Sequence, residues 1–478
     1  MQYWVRVKKL VQVLGTTADA RPMRRQIYLL VGVAIVAPSM ASTAVVGGGI
    51  AGLRCALALA RAGEKVTIFE SSDGVGGRVR SDTIDGFTLD RGFQVFLTAY
   101  PEYAGCLDLD ELQLRNFWPG AIVQLGGGRS TLVADPTRSS VSTLLPTLTT
   151  PLGTIADKLR LGIAVLQLKF LTSISAIFER DEVSTDEHLR SRLQLSDGIV
   201  HSFFRPFFRG IFLAPLAKQS SILFEFVLRM FLDGSAALPD GGMGSVPAQL
   251  ARNVVASGGT IECGTAIAAI KLGAPHELQT ADGRTITCDR LVLATPRREA
   301  DRLLGETDAA AGGEREEELY TSTALYFALD GPPPVSEPLL VLNGQTEGLL
   351  NNVCFPSTVS ASYAPEGKSL ASVTVIGEPS DLLKQGSGGV EGLEARVRTE
   401  LSEWFGSAEV ATWRHLRTYT IRGAQIGPFL GRGGFNSDPR VSRGVYRCGD
   451  YCASPSLNGA LRSGRVAAEA LLEDRGLW

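Results

Sequence analysis

Near its N-terminal end the chain contains a strand, a glycine turn, a helix and a second strand in immediate succession. Residues 44–52 read AVVGGGIAG, and residues 66–70 read VTIFE. In such a unit Gly47 allows a tight turn, Gly49 lets the backbone approach a pyrophosphate, and Gly52 lets the helix lie close to the sheet. The unit predicts an adenine dinucleotide site on a Rossmann-like sheet, with phosphate on free helix N–H groups.

The second strand ends on Glu70. A carboxylate at this place can accept hydrogen bonds from the ribose hydroxyls of the adenosine half, and its charge disfavours a 2′-phosphate. Glycine spacing alone is a weak signal in a chain with 53 glycines. The apolar strands, the helical stretch 53–62 and the plausible C-cap Gly63 supply the context that favours a nucleotide site over coincidence.

Length, charge and cysteine content exclude several classes of protein. A chain of 478 residues should form two or three domains. Its 47 basic and 50 acidic residues give a net charge of −3, so no basic excess indicates nucleic acid binding. The seven cysteines include no CxxC pair and the four histidines lie far apart, so the sequence predicts no metal site.

The N-terminus differs from the rest of the chain. Residues 1–26 carry six basic residues and one acid, and an apolar run follows at 27–37. This pattern resembles a targeting sequence, although eleven residues are short for a membrane span. We expect residues 1–42 to be either a targeting segment or an extension upstream of a true start at Met40, and disorder of this stretch is compatible with both. A genuine targeting segment would place the protein in an organelle such as a plastid or at a membrane, and otherwise it would be cytoplasmic.

Two further stretches suit a dinucleotide. Residues 74–78 read GVGGR, and a glycine pair followed by arginine can approach phosphate closely. Near the C-terminus an apolar strand ends on Gly449-Asp450, and a helix begins near Ser456-Leu457. An aspartate there can hold a sugar or ribityl hydroxyl, while the helix start places partial positive charge near an electron-rich ring. A surface turn and a capped surface helix are the alternatives.

The middle of the chain has a different composition. Residues 100–238 are prone to helix, with apolar residues at helical spacing over 154–171, and residues 203–231 concentrate phenylalanine. Such phenylalanines usually form core, but beside a cofactor they would line an apolar substrate cavity. Residues 318–415 are rich in predicted strand, and residues 386–389 are predicted to be a loop.

Taken together, these motifs resemble those of the flavin-dependent amine oxidase and phytoene desaturase superfamily, in its desaturase or carotenoid isomerase branch. The resembling segments are GGGIAG with Glu70, VGGRVRS at 75–81, LDRGFQVF at 89–96, PDGGMGSVP at 239–247, LVLATP at 291–296, and residues 448–471. The resemblance implies an α/β fold: a Rossmann-like FAD-binding domain of the GR2 type with an inserted α+β substrate domain. It divides the chain into a discontinuous FAD-binding domain at 43–100, 236–300 and 415–478, and a substrate-binding domain at 101–235 and 301–414.

The same resemblance implies which residues hold FAD. Glu70 would hold the adenosine ribose, Ile267 would meet adenine through its backbone, and Asp450 would bind the ribityl or phosphate segment. No cysteine is assignable to a flavin linkage, so FAD is expected to be non-covalent. The complete predicted set is Gly47, Gly49, Ile50, Ala51, Gly52, Glu70, Gly76, Gly77, Arg78, Gly92, Phe93, Ile267, Thr295, Gly449, Asp450, Ser456 and Leu457.

The expected reaction is hydride transfer from a hydrophobic substrate, such as a polyene, to flavin N5, or flavin-assisted isomerisation or hydration. Many amine oxidases of this superfamily carry a lysine near N5, whereas residues 297–326 contain none. Amine or porphyrinogen oxidation by oxygen, a non-catalytic flavin-binding role and, from the glycine turn alone, a NAD-dependent dehydrogenase remain alternatives. A lipid-soluble substrate would allow peripheral membrane contact, and the catalytic residues and electron acceptor stay open.

Overall fold

The fold is taken from a computed structural model, which describes residues 42–134, 150–306, 318–345, 347–382, 390–427 and 437–476. Nearly all of the predicted targeting segment and the predicted loop at 386–389 lie outside these ranges. Two large sheets, a helical layer and several small sheets make up the described part. No helix within these ranges is both long and apolar enough to cross a membrane.

The first large sheet has six strands and contains the glycine turn. Its spatial order is Thr260–Glu262, Lys65–Phe69, Ser42–Val46, Arg290–Leu293, Val445–Arg447 and Arg440–Ser442, with only the last pairing antiparallel. Parallel strands of this kind are covered on both faces and therefore read as continuous apolar runs. The LVLATP stretch begins within the central strand Arg290–Leu293, where Val292 lies opposite Val45.

Alternate residues of these strands serve two different layers. Val45, Ile68 and Val292 pack in the main core with three helices, Ile50–Arg61, Ser245–Ala256 and Leu457–Glu473. Ala44, Phe69 and Leu291 pack in a smaller core with an antiparallel meander of Ile267–Lys271, His276–Thr280 and Thr285–Cys288. The period of two along a strand explains why one apolar run feeds both cores.

The second large sheet has seven strands. Its order is Arg414–Gly427, Glu318–Asp330, Lys368–Ile376, Leu350–Cys354, Leu340–Asn343, Gly120–Gly126 and Arg129–Ala134, antiparallel except between the fifth and sixth. One face packs on the helix Val390–Phe405, where Leu325, Phe327 and Val373 meet Leu393 and Val397. The strand Arg414–Gly427, which falls largely inside the range predicted for the FAD-binding domain, pairs in this second sheet.

Shorter elements complete the molecule. The helical layer consists of Ile155–Leu166, Gln167–Leu171, Ile174–Phe178, Thr185–Glu187, His188–Arg192, Asp197–Ile199, Val200–Phe204, Arg205–Phe212, Leu216–Lys218 and Ser221–Asp233. Small strands occur at Ser81–Ile84, Phe87–Asp90, Phe96–Leu97, Arg115–Asn116 and Ala236–Leu238. The other helical segments are Pro101–Tyr103, Arg297–Leu304, Pro356–Val359, Ala361–Tyr363, Pro379–Leu382, Ser407–Ala411 and Asp450–Cys452.

The buried residue Asp90 links the small strand pair that contains it to the second large sheet and to the segment before the helix Ser245–Ala256. Asp90 accepts hydrogen bonds from the Met243 backbone N–H (2.9 Å) and the Tyr363 hydroxyl (2.8 Å), and also from Ser81. The Tyr326 hydroxyl donates to the Asp90 carbonyl at 2.7 Å. Burial raises the pKa of Asp90 to about 6, although these donors favour its ionised form.

Candidate flavin and substrate cavity

The glycine turn has the close contacts that its sequence predicts. Gly47 has φ of +111°, and a Cβ there would lie 2.7 Å from the Ala294 carbonyl oxygen. A Cβ on Gly52 would lie 2.0 Å from the Gly47 carbonyl oxygen. A Cβ on Gly49 would meet no atom within 4 Å. Gly47 and Gly52 are therefore needed by the protein's own packing, while Gly49 keeps space open in front of the turn.

The helix Ile50–Arg61 begins at this open space. Its N-cap residue, Gly49, offers no side chain to the first turn, and the first turn contains no acidic residue. The free N–H groups and the positive end of the helix dipole are thus left for an anion. Thr295 supplies a further unused group, because its buried hydroxyl has no partner among the described residues and it faces the same cavity. These features fit a pyrophosphate.

Glu70 is held at the edge of the turn. Its carboxylate accepts hydrogen bonds from the Gly48 N–H (2.6 Å), the Ser72 N–H (2.9 Å) and the Ser72 hydroxyl (2.8 Å). Only 8% of the residue is exposed. These donors fix the carboxylate at the end of its strand, where its remaining acceptor capacity faces the cavity.

The second glycine cluster packs directly on the first. The Gly76 N–H donates to the Gly48 carbonyl at 2.9 Å, and both Gly76 and Gly77 have positive φ. This backbone delivers Arg78 to the far end of the chain: its Nη2 lies 2.6 Å from Oδ1 of Asp450. The ion pair joins residues 372 positions apart.

The C-terminal stretch meets the N-terminal one through two helices. Gly464 of the helix Leu457–Glu473 lies so close to its neighbour that a Cβ would be 2.3 Å from the Ala51 carbonyl oxygen. Ser456 caps the helix, because its hydroxyl accepts from the Gly459 N–H at 3.0 Å. The start of this second helix and Asp450 therefore face the same space as the glycine turn.

One cavity of about 880 Å³ contains these groups. Every residue of the predicted set lines it except Gly52, which packs behind the turn. Segments near residues 50, 76, 267, 295 and 450 thus converge, and their roles as cofactor ligands remain predictions. Tyr100 also lines the cavity, and burial raises the pKa of its phenol, so this side chain stays neutral.

The remaining walls of the cavity differ in polarity. The helical layer contributes an apolar wall, formed mainly by Phe203, Phe204, Phe207, Phe208 and Phe231. Other phenylalanines of the cluster, including Phe224 and Phe226, are buried in the core instead. Both interpretations of the phenylalanine-rich stretch are thus realised, and Phe204 and Phe208 satisfy both, because they line the cavity and also pack in the main core.

The second sheet contributes a polar strip that sequence reasoning missed. Ser322, Asn352 and Thr374 lie on three adjacent strands and line the cavity together with Gln425. The Asn352 amide donates to the Thr374 hydroxyl at 3.3 Å. Alternation along a strand cannot show which face meets the cavity, so only the register of the sheet identifies these residues.

The charged lining residues are Glu70, Arg78, Arg91, Glu299 and Asp450, and no lysine, histidine or cysteine of the described chain lines the cavity. Cys448 is fully buried, and burial raises the pKa of Cys452 to about 12, so both thiols stay protonated. Within the described ranges no group of histidine, cysteine and carboxylate side chains is suited to a metal.

Three other proteins are similar in sequence to parts of this chain. Coproporphyrinogen III oxidase of Propionibacterium freudenreichii subsp. freudenreichii is 31% identical over 186 residues, which cover 37% of this chain and 32% of that protein. Carotenoid phi-ring synthase of Streptomyces griseus is 28% identical over 211 residues, covering 41% and 40%. A 4,4′-diapophytoene desaturase of Staphylococcus haemolyticus (strain JCSC1435) is 53% identical over 49 residues, covering 10% of each chain. The matches thus span well under half of each relative.

The fold also matches solved structures. The crystal structure of an oxidoreductase from Methanosarcina mazei superposes with a TM-score of 0.68 at 19% identity, covering 90% of this chain and all of that one. Identity this low shows the fold alone, here the Rossmann-like α/β architecture with a second domain. The model of the family described as flavin containing amine oxidoreductase matches residues 50–472. The chain belongs to the flavin containing amine oxidoreductase family.

Proposed function

We propose that the flavin of this protein is FAD, held non-covalently, with its adenosine ribose on Glu70 and its pyrophosphate at the glycine turn. Asp450 would hold the ribityl or phosphate segment, and the helix start at Ser456 and Leu457 would face the ring. The carrying observation is the convergence of these distant stretches on one cavity, linked by Arg78 and Asp450. The lack of a cysteine among the described lining residues supports non-covalent binding.

We further propose the two-part division of the chain, with the first sheet as the FAD-binding domain. The helical layer and the second sheet would form the substrate-binding domain, with Arg414–Gly427 included in it. The predicted boundary at 415 is replaced in this proposal because that strand forms its pairs with Glu318–Asp330.

The proposed reaction is oxidation of an apolar substrate, such as a polyene, or its rearrangement without net oxidation. When bound, FAD supplies a hydride acceptor at N5. The phenylalanine wall would hold the substrate and exclude water. The absence of a lysine or histidine among the described lining residues suits a reaction that needs a positioned C–H bond more than a base. The partial matches to a carotenoid phi-ring synthase and a diapophytoene desaturase support this substrate class.

A second candidate is oxidation of a porphyrinogen with oxygen as the acceptor. Two observations favour it: the partial match to a coproporphyrinogen III oxidase and the polar strip of Ser322, Asn352 and Thr374. A pure hydrocarbon would leave these side chains without new partners, whereas a substrate with polar groups could bond to them.

The first experiment identifies the cofactor. The purified protein is precipitated with acid, and the supernatant and pellet are examined by chromatography and mass spectrometry. FAD in the supernatant supports the proposal. Flavin mononucleotide in the supernatant, flavin retained in the pellet, or a nicotinamide dinucleotide would contradict it.

The second experiment identifies the reaction. The flavin-loaded protein is mixed anaerobically with polyenes, porphyrinogens and polyamines, and flavin bleaching and product formation are followed. Bleaching or rearrangement with polyenes supports the leading proposal, while bleaching with a porphyrinogen, followed by peroxide release once oxygen is admitted, supports the second. If dithionite reduces the flavin but no member of the panel changes it or is changed by it, both reactions are contradicted and a non-catalytic role gains.

A further inference from the structure

An exposed apolar stripe runs along the helical segment at 155–171. Six large apolar side chains of this segment are between 52% and 81% exposed. Five of them are spaced by three or four residues, which places them on one helix face. We call them the outer stripe: Ile155, Leu159, Ile163, Leu166, Phe170 and Leu171. Exposed apolar residues are ordinarily scattered singly, so a continuous stripe indicates an interaction surface.

The helix that carries the outer stripe is firmly attached to the protein. Thr154 and Asp157 form a reciprocal capping box at its start. The Asp157 carboxylate also accepts the Ser196 backbone N–H at 2.8 Å, which fixes the helix start to the neighbouring segment. Farther along, Leu168 is 5% exposed and its carbonyl accepts from Arg229 at 2.6 Å. The exposure of the stripe is therefore not caused by a frayed or detached helix.

The opposite side of the same helix faces the cavity. Leu161 and Val165 line it, and both pack against the main core. The helix thus forms part of the wall between the apolar end of the cavity and the outside. A surface that binds the outer stripe would lie next to the space proposed for an apolar substrate.

The charges of the segment indicate what kind of surface this is. Its one acidic residue, Asp157, is buried and fully engaged. Its basic residues are Lys158, Arg160 and Lys169, so the net charge of the segment is positive. Lys169 lies beside the stripe, with its ammonium 5.8 Å from the Phe170 ring centroid. An amphipathic helix with basic residues beside its apolar face binds anionic lipid interfaces.

We propose that the outer stripe docks this protein onto an anionic lipid surface, with the helix lying in the interface and its inner face against the cavity. The inference goes beyond the proposed function, because it concerns where the protein works and how an apolar substrate reaches the cavity. It does not depend on which cofactor or reaction is correct.

The test is flotation of the full chain with lipid vesicles. Vesicles of phosphatidylcholine alone are compared with vesicles of equal parts phosphatidylcholine and phosphatidylglycerol. The protein should float with the mixed vesicles, and added salt should weaken the binding because the headgroup attraction is screened. The triple variant I155Q/L159Q/I163Q should lower the partition coefficient on the order of 100-fold, since three exposed side chains lose their transfer into lipid.

A matched control changes exposed apolar residues elsewhere. V255Q/L272Q/L319Q alters three side chains that are 40% to 58% exposed and lie outside the stripe. It should keep wild-type vesicle binding. Circular dichroism and the thermal midpoint, which need no cofactor or substrate, establish that both triple variants are folded.

The contradicting outcomes are distinct. If wild type stays with the soluble fraction at every lipid composition, or if both triple variants lose binding equally, the proposal is overturned. Light scattering without lipid gives a second check: a wild-type dimer that I155Q/L159Q/I163Q converts to a monomer would make a second copy of the chain the occupant of the stripe, and would also overturn it.

Discussion

The pair formed by Arg78 and Asp450 offers the sharpest test of the convergent cavity, through the isosteric substitution Asp450→Asn. The Asp450 side chain is 8% exposed and lies 2.6 Å from Arg78, whose side chain is 40% exposed. Because Arg78 can be rehydrated, the apoprotein should lose less than about 1 kcal/mol of unfolding free energy. FAD binding should suffer more, since a buried hydrogen bond to a charged group contributes about 1.5–3 kcal/mol.

That loss corresponds to a dissociation constant raised roughly 10- to 100-fold. It is measured by titrating the apoprotein with FAD and following flavin fluorescence. R78Q should weaken binding too. The double variant R78Q/D450N should lose less FAD binding free energy than the two single variants lose together, because Arg78 and Asp450 orient each other.

A second ion pair of the protein provides the control. Arg465 and Glu102 lie 2.7 Å apart, with side chains 33% and 13% exposed, and join residues 363 positions apart. Neither lines the cavity. E102Q should therefore keep FAD affinity within about two-fold, an energy change below RT. If D450N also stays within this range, or if E102Q weakens FAD binding as much as D450N, the Arg78–Asp450 pair does not contact FAD.

Three further predictions concern the same framework. Gly49→Ala should keep the melting temperature of the apoprotein but weaken FAD binding at least about 10-fold, because its methyl group enters only open space. Gly52→Ala should destabilise the apoprotein by about 1–3 kcal/mol or more. Equal melting temperatures of the two variants would contradict both predictions. In D90N the group that binds a proton more tightly when folded is lost, since the Asp90 pKa of about 6 exceeds its unfolded value. Urea titrations should show wild type losing roughly 2 kcal/mol relative to D90N as pH rises from about 4 to 6, and a constant difference would refute this. Asn352→Leu should lower kcat/KM for polar-substituted substrates about 5- to 30-fold relative to hydrocarbons, and an unchanged ratio would exclude contact with the polar strip.

The cofactor end of the cavity could be predicted from sequence because its requirements are local. A tight turn, a free helix start and a carboxylate at a strand end each show in a few consecutive residues. The contact between Gly464 and the Ala51 carbonyl brings the two ends together, and a single sequence has no signal for that pairing. The family resemblance supplied it instead.

The substrate end depends on tertiary contacts and was only partly predictable. Helical periodicity over 154–171 correctly indicated a helix, yet it could not show that many of the apolar residues point outward. Phe224 and Phe231 belong to one helix, but only Phe231 lines the cavity. The resemblance places residues 415–478 in the FAD-binding domain, whereas the hydrogen bonds of Arg414–Gly427 join that strand to the second sheet.

A crystal structure of the flavin-loaded protein would show whether the distant stretches of the chain bind a single cofactor. We expect one FAD within the cavity, its ribose hydroxyls within hydrogen-bond distance of Glu70 and its ring at the helix start of Ser456 and Leu457. Flavin bound elsewhere, or bound in the reverse direction with its ring at Glu70, would contradict this expectation.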